Sequence, residues 1–394
     1  MDRKKNWVIR FLLVMVAVMG CWNPVFAQES GAFEADLTTW QKVLNVMKAP
    51  FIAIGALVYY PLKFIFYDIW VALYDWLVPP GSEDGSVSLE AMLSPDPAVR
   101  ISALRGLSTA EDTDVHRLLR RACQDIDPSV RRVALRTLER LKLTSDLALV
   151  VRATRDPDDS VRGTAAHVLG AIGKPKHSKR LREMVEAPEN KDRVYVQAAL
   201  LRSLVRLDPE AARPLARKAL GLRDSKNWVL VATAAHALGE LGDRESRELL
   251  RSRVEDPVYY VRLASAESLA RLGDQVWLLE QMEKGGDSDR VRALLLALGR
   301  HGRSLPMEAL ESRVGDSDAR VAGAALRALA MQKSPRAIDH AIEWLDHANA
   351  FHRFYGYGLL TRLTGKDLGL ESELWRRWWS TQRHSFRFSS TDAD

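Results

Sequence analysis

One phrase returns along most of this chain: Asp, often Pro, two or three residues, Val-Arg, then a small-residue-rich apolar run. It reads Asp96-Pro97-Ala98-Val99-Arg100, then Asp127-Pro128-Ser129-Val130-Arg131, then Asp156-Pro157 through Val161-Arg162. Weaker copies open at Asp192, Asp224, Asp256, Asp287, Asp316 and Asp346, and successive intervals are 31, 29, 36, 32, 32, 31, 29 and 30 residues. A period near thirty held over nine copies predicts stacked units rather than one closed globular core. In the copy at 156–187, the aspartates and Ser160 supply capping side chains, and Pro157 suits a first helical turn. Val161, Ala165, Val168, Leu169 and Ile172 then recur at three- and four-residue steps on one helix face, which Gly170, Gly173 and Pro175 close. Leu181, Met184 and Val185 form a second apolar face nearby. Neither helix can bury its face alone, so neighbouring pairs must stack.

Ala134, Ala165, Ala235 and Ala325 fall inside first helices, where small side chains allow close approach. No sustained apolar–polar alternation follows residue 90. The predicted fold is all-α, a right-handed α-solenoid of stacked helical pairs with an N-terminal hydrophobic helical segment. The phrase and its Ala- and Leu-rich helix resemble a HEAT repeat, in the short bacterial subtype named after phycobilisome lyases, over about residues 90–363. That resemblance implies structural work for the repeated residues: the Asp capping its helix, and Arg100, Arg131, Arg162, Arg262 and Arg292 pairing along the stack. Gln197 and Val231 stand near the arginine position of their copies, so the ladder should break mid-stack. The repeat serves scaffolds, adaptors and a few enzymes alike.

Net charge is +6, of which the first 27 residues carry +3 and residues 28–80 carry −2. Acidic residues interleave with the basic ones in the repeats, which argues against nucleic acid as a partner. The two cysteines, Cys21 and Cys123, cannot pair once a leader is removed, and Cys123 lies between Leu119 and Ile126 as a structural thiol.

Arg3, Lys4, Lys5 and Arg10, the run Phe11 to Gly20, and Val25-Phe26-Ala27 stand in the order of a secretory signal peptide cleaved before Gln28. Val18-Met19-Gly20-Cys21 offers lipidation as an alternative, and an uncleaved anchor is a third. The stretch 51–78 is rich in rings: Phe51, Tyr59, Tyr60, Phe64, Phe66, Tyr67, Trp70, Tyr74 and Trp76. Lys63, Asp68 and Asp75 interrupt it, so membrane-surface contact, spanning and a soluble cap all remain open. The expected organisation is 1–27 signal peptide or anchor, 28–80 membrane-associated segment, 81–90 linker, 91–363 repeats, 364–381 a Trp-rich cap, and 382–394 a disordered tail.

No histidine precedes a Glu, and there is no CxxC, GxSxG, GxxxxGK or GxGxxG, so neither a metal nor another cofactor is expected. His167 and His236 occupy one slot in two copies, which points to a bond within the stack. Tyr195, Trp228, Tyr259 and Tyr260 fall one or two positions before the register residues Val196, Leu230 and Val261 of three consecutive copies. Stacking should align them in a stripe, either a partner-binding surface or rings that fill the inter-repeat groove. The expectation is a non-enzymatic scaffold or adaptor, exported and held at the periplasmic face of a bacterial membrane. Its partner would be a protein or a multiprotein membrane complex. The alternatives are a membrane-anchored adaptor with cytoplasmic repeats, and a bilin-lyase-like enzyme that handles a tetrapyrrole.

Overall fold

The computed structural model describes residues 91–107, 113–303 and 305–388. Each copy of the phrase opens one helix of a first layer: α1 (Pro97–Gly106), α3 (Pro128–Arg140), α5 (Asp159–Ile172), α7 (Val194–Leu207), α9 (Trp228–Glu240), α11 (Tyr259–Arg271), α13 (Ser288–His301), α15 (Ala319–Met331) and α17 (Ala350–Thr364). Between them run the second helices: α2 (Thr113–Ala122), α4 (Leu147–Ala153), α6 (Ser178–Glu186), α8 (Pro209–Leu220), α10 (Arg247–Arg253), α12 (Gln275–Glu283), α14 (Met307–Glu311), α16 (Arg336–Leu345) and α18 (Ser372–Gln382). Consecutive odd-numbered helices pack side by side, and among the described residues there is no strand. This is the all-α solenoid that the period predicts. The long interval after Asp156 holds an extra 3₁₀ turn, Pro188–Asn190.

The repeated aspartate does two jobs. Asp96, Asp127 and Asp287 cap their helices by accepting from the amides of Ala98, Ser129 and Arg290. In three other copies the aspartate sits earlier and braces the turn, Asp156, Asp256 and Asp316 accepting from the amides of Asp158, Val258 and Asp318. That leaves its carboxylate available to the preceding repeat. Arg131 forks onto Asp156 at 2.8 and 2.7 Å, and Arg100 onto Asp125 at the same distances. Each guanidinium also turns back to two carbonyls of its own loop, Ser94 and Pro95 for Arg100, Asp125 and Ile126 for Arg131. The first three repeats are thereby bonded one to the next through a charge with little access to water.

The ladder breaks where the sequence departs from its phrase. Arg162 meets the neutral Asn190 at 2.8 Å, Gln197 reaches only carbonyls, and Val231 offers no polar group. Arg262 then finds Gly286 where Asp125 and Asp156 stand in earlier repeats, so Asp287 and Asp289 approach no closer than 3.7 and 3.8 Å. Its buried Nε has no hydrogen-bond partner.

A second ladder runs along the even helices. Arg182 bonds Asp208, Arg217 forks onto Asp243 at 2.8 and 2.5 Å, and Arg251 forks onto Asp274 at 2.7 Å. Between the ladders lies the apolar seam. Ala134, Ala165, Ala235 and Ala325 are fully buried in it. Glycine permits the closest approaches: a Cβ on Gly170 would lie 2.4 Å from Ser203 Oγ, and one on Gly239 would lie 2.6 Å from Ser268 Oγ. Both serines use that proximity to donate 2.8 Å bonds to carbonyls of the neighbouring helix, Ala166 and Ala235.

The stack ends under α18. Trp375 is fully buried and donates to the Gly369 carbonyl at 2.8 Å, while Trp379 donates to Asp339 at 2.7 Å. Phe386 sets its edge against Trp378 and Trp379. The chain past Thr381, expected to be disordered, therefore stays on this aromatic cap as far as Phe388.

Candidate functional site

Side-by-side packing of α7, α9 and α11 aligns the first turns that carry Tyr195, Trp228, Tyr259 and Tyr260. Trp228 and Tyr260 stack across the repeat boundary, with centroids 5.4 Å apart and planes 28° from parallel. Tyr259 sets its edge against Tyr260 at 5.7 Å, and the Arg292 guanidinium lies 5.0 Å from the Tyr259 centroid. Tyr195 and Tyr260 are 36% and 39% exposed, so they are surface rings. Trp228 and Tyr259 are half-buried, and Trp228 packs on the core. Burial pushes the Tyr259 phenol above its ordinary pKa, against the pull of Arg292, so it remains a neutral donor.

Trp228 also walls a cleft of about 160 Å³ between the fifth and sixth repeats, beside Leu222, Val231, Pro257 and Val258. Arg223 stands exposed at this cleft, with the hydroxyls of Ser225 and Ser252. Arg253 beneath it is already engaged, by the carbonyls of Leu220 and Leu222 and by Asp256. The site thus combines a two-ring platform, an apolar slot and guanidinium groups at its edges.

Of the two histidines of one slot, His167 bonds within the stack and His236 only approaches its carboxylate. His167 lies 3.0 Å from Glu139, and His236 lies 3.7 Å from Glu267, which Arg300 also holds at 2.5 Å. Glu267 is only 3% exposed, and burial raises its pKa against the opposing charges of Arg300 and Arg271. His236 and His301 are both pushed down to about 4, first by burial and then by Arg271 and Arg300, with Arg202 adding to the effect at His236. His236 is half exposed, which tempers the burial contribution but not the three neighbouring cations. Because these pKa values lie below the unfolded value of 6.5, the unfolded chain takes up protons first as pH falls from 6.5 towards 4. Stability should therefore decline through that window. Melting temperatures taken from pH 7 to pH 4 should fall less steeply in the His236→Gln/His301→Gln double variant than in the native chain.

Cys123 is half-buried and its thiol is pushed up to about 12, chiefly by burial, so it stays protonated at neutral pH. Among the described residues no three His, Cys, Asp or Glu side chains gather as a metal site. No helix among them is long and apolar enough to cross a membrane. Phe51, Tyr59, Tyr60, Phe64, Phe66, Tyr67, Trp70, Tyr74 and Trp76, with the residues expected to form a leader, lie outside the described residues.

Two features were missing from the sequence-based stripe. Arg292 joins it through space, from the next repeat. Phe351, one position before the register residue of the last copy, occupies the slot of Tyr195 and Tyr260 and is 43% exposed. The displaced cap of that copy, Asn349 rather than Asp346, obscured the equivalence.

Residues 87–162, 127–195 and 189–270 match the HEAT-repeat model. With the helical stack above, this is a HEAT-repeat protein. The chain is 34% identical over 116 residues to the phycocyanobilin lyase subunit alpha of Picosynechococcus, a match covering 26% of this chain and 43% of that relative. The chain thus matches less than half the length of that relative. The complex of CpcE and CpcF of phycocyanin lyase from Nostoc aligns with 67% of this chain and 97% of the solved chain, at 20% identity and a TM-score of 0.39. The relative named as a lyase subunit overturns two expectations drawn from the sequence, that the chain is a non-enzymatic membrane scaffold and that it is no enzyme. The repeat phrase could not make that distinction, because it records stacking and not what the stack holds.

Proposed function

We propose that this chain is a bilin-lyase-like subunit that handles an open-chain tetrapyrrole together with a second protein. The 34% identity to a phycocyanobilin lyase subunit carries the proposal, and a protein named as a subunit implies a partner. The geometry suits the chemistry. A bilin presents a flat conjugated face and two propionate carboxylates. The Trp228–Tyr260 platform matches the first, and the guanidinium groups of Arg292 and Arg223 match the second. The cleft of about 160 Å³ is too small to enclose a whole tetrapyrrole, so the ligand would lie across the stripe with one ring in the slot. The partner would cover the exposed side, against Tyr195 and Tyr260. With Cys123 held protonated, this chain would hold and present the chromophore rather than form a bond to it through that thiol.

Co-expression of the full chain in a host that synthesises phycocyanobilin tests this. A visible absorption band should travel with the protein through purification and be lost in Trp228→Ala/Tyr260→Ala. Colourless protein from a host shown to make the pigment would overturn the proposal.

A further inference from the structure

The odd helices of the last three repeats carry a second surface, of which the tetrapyrrole proposal uses only Arg292. α13, α15 and α17 hold seven arginines, no lysine and one acidic residue, Asp289. On α15, Arg320, Gly323 and Arg327 recur at three- and four-residue steps and share one face. Gly323 turns that face to α17, since a Cβ there would lie 3.6 Å from the rings of both Phe351 and Tyr355. Those rings stack at 5.5 Å. Tyr355, Gly358 and Arg362 continue the face along α17, and a Cβ on Gly358 would meet nothing within 4 Å, so the surface is open above it.

The charges on this face are unbalanced. Arg292 is paired with Asp289 and Arg320 with Asp318. Arg327 and Arg362 have no carboxylate partner among the described residues, although both act on the Tyr355 hydroxyl, as does Arg292. Beside them Phe351 and Phe354 are 43% and 62% exposed. Two guanidinium forks without a counter-ion, next to two exposed rings, make a surface complementary to acid and hydrophobe together.

We propose that this face is a docking surface for an acidic segment of a partner protein. Carboxylates of the segment would fork onto Arg327 and Arg362, and its apolar side chains would cover Phe351 and Phe354. Three adjacent odd helices span two steps of roughly 10 Å each, the reach of a short peptide. Small molecules prefer concave sites, and this face opens to solvent at Gly358. The use of arginine alone also fits the bidentate geometry of carboxylates.

The test is selection of a displayed library of random 12-residue peptides on the full chain. Selected peptides should be rich in Asp and Glu with at least one apolar residue. The best synthetic peptide should bind Arg327→Gln/Arg362→Gln at least about tenfold more weakly, and Phe354→Ala more weakly as well. Melting temperatures should stay unchanged, because none of these side chains is core. Peptides without acidic enrichment, or equal binding by the double variant, would overturn the proposal. So would flotation of the native chain with phosphatidylserine vesicles that the double variant loses, which would assign the face to lipid. None of these outcomes depends on whether the chain takes up a tetrapyrrole.

Discussion

Replacing Trp375 by alanine should cost about 3–5 kcal/mol, the scale for deleting a large buried aromatic. The indole is fully buried, its Nε1–H is bonded to the Gly369 carbonyl, and its edge meets Trp378 at 5.9 Å. Position amplifies the loss. A repeat array is stable as a sum of neighbour contacts, and its last apolar face has no neighbour unless a cap supplies one. Hydrogen exchange should therefore show α16 and α17 opening first in Trp375→Ala, while α3 to α7 keep their protection. A uniform loss of protection along the stack would mean that α18 is no local cap.

The second large effect is expected at the arginine ladder. Asp156→Ala strips the bidentate partner from Arg131 while both side chains are about nine-tenths buried, 12% and 10% exposed respectively. An orphaned buried guanidinium typically costs about 3–5 kcal/mol, well above the worth of the pair itself. Chemical denaturation should show that loss for Asp156→Ala. It should show only about 1 kcal/mol for Asp287→Ala, the cost of its cap on the Arg290 amide, because its contact to Arg262 is 3.7 Å and its side chain is 58% exposed. Equal losses at the two sites would contradict the account of a ladder broken mid-stack.

The sequence made the repeats legible because period, cap and apolar face recur in one phrase. Even the break at Gln197 and Val231 could be read, since it is a departure from that phrase. The second ladder could not. Its pairs, such as Arg217–Asp243 and Arg251–Asp274, are separated by 26 and 23 residues and fall in no fixed motif. The Gly239–Ser268 contact likewise depends on how far one helix slides past the next, which spacing alone does not determine. At the candidate site, the register of Tyr195, Trp228 and Tyr260 was visible, but the stacking of two of these rings and the arrival of Arg292 were not. Function was the least legible part. An α-solenoid announces a surface, and only the chemistry on that surface and a related sequence distinguish a scaffold from a lyase subunit.

The central claim, that the stripe takes up a tetrapyrrole, is tested most directly by titrating the purified full chain with phycocyanobilin. Visible absorbance and tryptophan fluorescence would be followed in the native chain and in Tyr260→Ala, whose ring is exposed and whose loss should leave melting nearly unchanged. A saturable shift of the visible band with quenching in the native chain, weakened about tenfold in Tyr260→Ala, is the predicted result. An absence of saturable change in the native chain, or an equal affinity in a Tyr260→Ala variant of unaltered stability, would contradict it.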